Sequence, residues 1–268
     1  MYGQYKRLTG RFEGILTGKG VGWGGSLGRT EATGFGLVYF TREMLKANGE
    51  SFKGKRVVIS GSGNVATYAC QKAQEYGANV VVMSDSNGYV IDEDGIDLEL
   101  VKQIKEVERL RIKEYAVRKP SATYVDTPNP WEVKCDIALP CSTQNDIDTA
   151  KAEVLVKNGV IAVGEGANMP CTNEAEAYFL EKGVWVGPAK AANAGGVAVS
   201  QLEMAQNSQR EEWPLEVVDN KLDDIMTNIF KSCDDAAKEY GIPGNYLAGA
   251  NIAGFLKVAK AMMAQGAV

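Results

Sequence analysis

Short unbroken apolar runs alternate along the chain with longer segments in which apolar residues recur every three or four positions. Val57–Ile59, Val80–Val82, Asp136–Leu139, Val160–Val163 and Val184–Val186 have the pattern of strands buried on both faces. Tyr89–Ile91, just after the turn signal Asn87-Gly88, is a further short strand. Between the runs the pattern predicts helices over Leu37–Ala47, stopped by Asn48-Gly49, then after Gly63, and over Leu98–Tyr115, Ile147–Lys157 and Asn173–Glu181. Beyond Asn193 the chain reads as helical: Val197–Asn207, Trp213–Tyr240 with Pro214 in its first turn, and Tyr246–Met263. In the second of these, Leu215, Val218, Leu222, Ile225 and Ile229 form an apolar stripe, and the last helices are expected to pack back over the rest. Strand and helix alternating in this way predict an α/β fold with a doubly wound, mostly parallel sheet and additional C-terminal helices. No repeat or linker divides it. The expected organisation is one domain, 1–268, made of a leading loop and helix (1–50), a sheet core (51–190) and a helical extension (191–268).

The most informative stretch is Val57 to Asp85: apolar run, glycine-rich turn, helix, second apolar run, carboxylate. Glycines at a strand end also occur for packing alone. In this setting, however, the order is that of a Rossmann-like βαβ unit binding a dinucleotide. Gly61 allows the tight turn, Gly63 lets a pyrophosphate approach the backbone, and Ala66 lets helix and strand pack closely. The helix N-terminus offers free N–H groups and a positive dipole end to phosphates. Polar, Gly/Asn-rich loops follow three later strands at 140–145, 164–170 and 187–196, so Gln144, Asn168 and Asn193 should converge at the ligand-binding edge of the sheet. The glycine-dense first thirty residues have two readings: a flexible loop, or a backbone shaped for ligand approach with Arg29 and Thr33 as polar contacts. Gly14–Gly20 lacks the spacing of a P-loop and the Ser or Thr after its lysine. The bases Lys105, Arg109, Arg111 and Lys113 alternate with Glu106, Glu108 and Glu114, as on a solvated helix face.

Composition narrows the chemistry. The net charge is −5 with signs interspersed, so no basic surface for nucleic acid is expected. Five cysteines without a CxxC pair fit a reduced, cytoplasmic setting, and no apolar run approaches the roughly 18 residues that span a bilayer. The sequence has no histidine, which removes Ser/His and Cys/His nucleophilic catalysis and the commonest metal ligand. No metal site is expected.

From near residue 10 onward the chain resembles the hexameric glutamate dehydrogenases. The resemblance rests on GGSLGRTEATGFG (24–36), SGSGNVA (60–66), SDSNG (84–88), ALPCSTQN (138–145), GEGANMP (164–170), KAANAGGVAVSQLEMAQN (190–207) and GANIAGF (249–255). It implies a cofactor-binding domain whose full enzyme reversibly deaminates L-glutamate to 2-oxoglutarate and ammonium by hydride transfer to a nicotinamide. The family's catalytic lysine, in a GGGKGG-type segment, and its catalytic aspartate belong to an N-terminal domain whose motifs do not occur here. Met1 stands directly before interior-looking sequence, and AMMAQGAV resembles the family's C-terminal ending. The expectation is therefore a second domain alone, complete at its C-terminus, binding cofactor without turnover and without catalytic residues of its own.

Carried over by motif, Arg29 and Thr33 would hold the nicotinamide carboxamide, and Ser62, Gly63, Asn64 and Val65 would cradle the pyrophosphate. Ala138, Cys141, Gln144 and Asn145 would line the adenosine and nicotinamide-ribose side, and Asn168 and Asn193 would position the nicotinamide ring. Val197 and Ser200 would face glutamate, although Val197 could be core and Asn193 a cap. The cofactor is the open question. A carboxylate such as Asp85 suits the 2′-hydroxyl of NAD, yet Asp85-Ser86 resembles the NADP-type members, where Arg109 or Arg111 could neutralise the acid. NADP is the expectation and NAD the alternative. A stand-alone NAD(P)-sensing module, or a domain of a related amino-acid dehydrogenase, is the competing reading. The full protein would be a homohexamer. The domain alone would be a monomer or weak dimer, with apolar patches exposed near Leu37–Leu45 or on the last helices.

Overall fold

The computed structural model describes residues 1–266, so the last two residues of the C-terminal ending lie outside the described residues. In chain order the elements begin with α1 (Tyr2–Thr9), α2 (Ala32–Ala47), β1 (Arg56–Ser60), α3 (Asn64–Glu75), β2 (Asn79–Ser84) and β3 (Tyr89–Ile91). They continue with α4 (Leu98–Lys102), α5 (Lys113–Arg118), β4 (Thr123–Val125), β5 (Ile137–Pro140), α6 (Thr149–Lys157), β6 (Ala162–Gly164) and α7 (Asn173–Glu181). The chain closes with β7 (Trp185–Gly187), α8 (Ala189–Ala192), α9 (Gly195–Gln209), α10 (Leu215–Glu239) and α11 (Tyr246–Gln265).

The seven strands form one sheet in the order β4-β3-β2-β1-β5-β6-β7. Strands β2, β1, β5, β6 and β7 run parallel, while β3 and β4 add an antiparallel edge. Alternation within the apolar runs feeds two cores. Val57, Ile59, Ile137 and Leu139 pack with α2, α3 and α10 residues on one face, and Val58, Ala138 and Val163 pack with Leu155 and Phe179 on the other. The strand order reverses between β1 and β5, which opens a crevice beyond their C-terminal ends.

Several elements differ from the sequence reading. Helix α2 starts at Ala32 rather than Leu37, with Gly34 and Gly36 inside it. A Cβ on Gly34 would come within 2.6 Å of the Ala69 nitrogen in α3, and one on Gly36 within 2.7 Å of Gly195 in α9. These glycines serve helix–helix approach, which outweighs their cost in helix propensity. Residues 98–115 are not one helix. After α4 a π-helical turn (Gln103–Val107) widens the chain, Arg109 takes a left-handed conformation (φ 57°), and α5 begins at Lys113. β4 escaped the pattern because it is a three-residue, largely solvent-accessible edge strand, and α1 because it buries nothing.

The C-terminal helices divide. α10 packs into the core through Val218, Leu222, Met226 and Phe230. α11 lies along α10 but buries only Tyr246 and Gly249, leaving Phe255, Val258, Met262 and Met263 exposed. Exposed apolar surface therefore occurs on the last helix, whereas Leu37–Leu45 is almost wholly buried, with Phe40 edge-on to Phe230. By length and composition α11 is also apolar enough to cross a membrane, but Asn251, Lys257 and Lys260 interrupt it, so it is not the unbroken apolar run that the sequence reading looked for.

Candidate functional site

At the switch point lies a cleft of about 910 Å³, lined by loops that the sequence reading assigned to one site. Arg29, Thr33, Val65, Cys141, Gln144, Asn168, Asn193, Val197 and Ser200 all reach it. Gly61 turns the chain out of β1 with φ 92°, a conformation that favours glycine, and its N–H donates to Ser84 Oγ at 2.8 Å. Gly63 caps α3. A Cβ there would meet nothing within 4 Å, so the backbone is open on that side. Asn64, the first residue of α3, is exposed at this rim, and Ser62 is buried beneath it.

The opposite wall is stitched together. Asn145 and Met169 are both left-handed (φ 55° and 47°), and the Asn145 N–H donates to Met169 O at 2.9 Å. Such backbone costs on the order of 1 kcal/mol per residue and persists where the surroundings impose it. Asn193 caps α8 through its backbone, while its Nδ2 donates to Asn168 Oδ1 at 2.9 Å. Asn193 is thus both the C-cap of α8 and a lining residue of the cleft. Val197 is 71% exposed, which excludes a core role. Arg29 Nε donates to Ser200 Oγ at 3.0 Å, joining two residues that the sequence reading gave separate tasks.

Of two other carried-over residues, one lies outside the cleft and one lines it although nearly buried. Ala138 is fully buried in the second core, so it backs the loop at 141–145 and does not line the cleft. Cys141 is almost buried, and burial pushes its thiol well up, leaving it a neutral packing group.

Asp85, directly after β2, is the decisive case. Its Oδ1 accepts the Asn87 N–H and its Oδ2 the Ile112 N–H, each at 2.9 Å. Lys105 Nζ and Arg111 Nη1 stand 4.0 Å from Oδ2, and the side chain is only 7% exposed. The left-handed turn at Arg109 carries Ile112 and Arg111 to this carboxylate, and Arg111 also donates to Ser86 Oγ at 2.8 Å. Arg109 itself makes no side-chain hydrogen bond to Asp85 or Ser86. Arg111 and Lys105, rather than Arg109, are the bases beside Asp85.

Other contributors carried no assignment in the sequence. Asp146, one residue past the quoted loop motif, accepts from Ser60 Oγ (2.6 Å), Ser142 Oγ (2.8 Å) and Trp131 Nε1 (3.3 Å), fixing the ends of β1 and β5. Glu203 in α9 is fully buried and accepts from Lys19 Nζ at 2.6 Å and from the Gly18 N–H at 3.0 Å. That contact straps Ile15 and Thr17 to the cleft mouth, and it occupies the Lys19 amine. Among the described residues, no three His, Cys, Asp or Glu side chains gather as metal ligands do.

The comparisons with known proteins agree with this geometry. Residues 24–266 match the family model of the glutamate/leucine/phenylalanine/valine dehydrogenases. The chain belongs to this family. It is 54% identical over 273 residues to the NADP-specific glutamate dehydrogenase of Helicobacter pylori, covering 99% of this chain and 61% of that protein. It is 52% identical to the NADP-specific glutamate dehydrogenase of Giardia intestinalis, with 100% and 61% covered. The crystal structure of Plasmodium falciparum glutamate dehydrogenase superposes with a TM-score of 0.97 at 49% identity, covering all of this chain and 58% of that one. The chain thus spans about three fifths of the length of these dehydrogenase relatives.

Proposed function

We propose that the cleft binds NADP and that the chain is the cofactor-binding part of a glutamate dehydrogenase, an oxidoreductase of amino-acid metabolism. The observation that carries the cofactor reading is the state of Asp85. Both its oxygens are taken by backbone N–H groups, and Lys105 and Arg111 neutralise it, so it has little left to offer a ribose 2′-hydroxyl. Ser86 and Arg111, both exposed beside it, suit a 2′-phosphate. The names of the Helicobacter and Giardia relatives point the same way.

The residues fit the group along its length. Gly63, Asn64 and the free N–H groups at the start of α3 would take the pyrophosphate beside Val65, and Gln144 in the cleft, with exposed Asn145 next to it, would flank the riboses. Asn168 and Asn193 would face the nicotinamide, with Arg29 and Thr33 across the cleft. The bound nicotinamide would supply the hydride chemistry, and the chain's own residues bind it, orient it and shield it from water. Val197 and Ser200 would border the glutamate. The lysine and aspartate that move protons would come from the portion of the relatives that this chain does not span, so the chain alone should bind cofactor and turn over negligibly. In isolation it should be monomeric or weakly self-associating, through the exposed face of α11.

Fluorescence titration with NADPH and NADH tests the binding claim. NADPH should bind more tightly by tenfold or more, on the order expected for a charge-assisted phosphate contact. Tighter NADH binding would defeat the cofactor assignment. Near-normal turnover of glutamate by this chain would defeat the division of labour.

A further inference from the structure

Glu165 follows β6 directly, is 1% exposed, and has no part in the cleft lining. A carboxylate this buried costs much unless it is fully hydrogen-bonded. Its two oxygens do two different jobs. Oε1 accepts the Cys171 N–H at 3.1 Å and so closes its own loop, 165–171. Oε2 accepts the Ala189 N–H at 2.7 Å and so ties down the loop after β7, at the start of α8. Its backbone N–H adds a bond to Gly187 O at 3.0 Å. One loop carries Asn168 and the other Asn193. At the cleft the bond between those side chains is solvent-exposed, where a neutral amide pair holds little by itself. The buried charge-assisted pair behind it is the stronger link between the two loops.

We propose that Glu165 is a positioning residue: it sets the spacing of Asn168 and Asn193, and through them the nicotinamide end of the cleft, without touching cofactor. This rests on the cofactor reading above. The adenosine end is built from other parts (Asp85, Ser86 and Arg111), so a defect at Glu165 should spread unevenly over the cofactor. Glu165→Gln keeps the shape but leaves one N–H facing an amide that cannot accept from it.

The test measures dissociation constants for NADPH and for 2′,5′-ADP, which has the adenosine end alone, together with the emission of bound NADPH, which reports the nicotinamide surroundings. Wild type should bind both. E165Q should bind NADPH about tenfold more weakly, with emission shifted toward that of free NADPH, and should bind 2′,5′-ADP within about twofold of wild type. Should E165Q not fold, Ala189→Pro cuts the same link from the other side. Residue 189 opens a helix, where proline is tolerated, and Pro188 before it is already extended (ψ 143°). The same NADPH-selective loss is expected there. Equal weakening of both ligands, or no change in either, would overturn the proposal. Wild type binding neither nucleotide would instead overturn the cofactor reading, and this inference with it.

Discussion

Asp85 and Glu165 stand at corresponding places in the sheet. Each is the residue just past a parallel strand, β2 and β6, and each carboxylate accepts two backbone N–H groups from separate positions in the chain. Their surroundings are opposite. Asp85 sits at the accessible end with Lys105 and Arg111 at 4.0 Å. Glu165 is buried, burial pushes it up, and its neighbour is another carboxyl, Glu176 of α7, whose hydrogen bond to it works the other way. Burial, and then the charge of Glu165, push Glu176 up to about 7, with Lys190 opposing weakly. One hydrogen-bonding device thus sits beside two cations in the first case and beside a second carboxyl in the second. What separates them is which charges the tertiary structure brings alongside.

The comparison is broken most directly by truncation. Glu165→Ala leaves two buried N–H groups without acceptors and should cost about 4 kcal/mol in urea unfolding. Asp85→Ala should cost about half as much, roughly 2 kcal/mol, because Asn87 is exposed and its N–H can turn to water. Equal losses would mean the two carboxylates are equivalent after all. Arg111→Ala sharpens the ligand side of the contrast. It should weaken NADPH about tenfold by calorimetry while changing NADH little, and a parallel loss of both would remove Arg111 from the 2′-phosphate edge.

The smallest effect expected is on pH dependence. Glu176 titrates near 7 when folded against an ordinary 4.5, so the folded chain holds the extra proton between those values. The stability from this group is complete below about 4.5 and is lost as pH rises through about 7. Glu165, Cys171 and Lys190 face the same cluster and complete its charge balance. Glu176→Gln should therefore raise the melting temperature more at pH 8 than at pH 5. A gain independent of pH would show that Glu176 does not hold the extra proton in the folded chain.

How legible these places were differs between them. The strand runs, the Gly61 turn and the loops carrying Asn168 and Asn193 were readable, because each follows from local periodicity or from backbone conformations that few residues adopt. The α10 stripe was readable only in part: Val218 and Leu222 are buried, but Leu215 is exposed and Met226 and Phe230 complete the buried face. The contribution of Arg111 over Arg109 was not readable. It depends on a π-helical turn and a left-handed residue that together rotate the chain before α5, and helical spacing gives no sign of either. Ala138 matched a binding motif and proved to be core, since a motif records neighbours in sequence and not the direction a strand residue faces.

The sequence by itself determined an α/β sheet with a dinucleotide-type turn and a set of polar loops at one edge, since strand period, glycine placement and loop composition are local properties. Only the tertiary structure decided what the buried charges do. Asp85 reaches Ile112, 27 residues away, Glu165 reaches Ala189, 24 away, and Glu203 reaches Lys19, 184 away. A carboxylate is defined physically by the donors and charges around it, and those come from parts of the chain that meet only when the fold is closed.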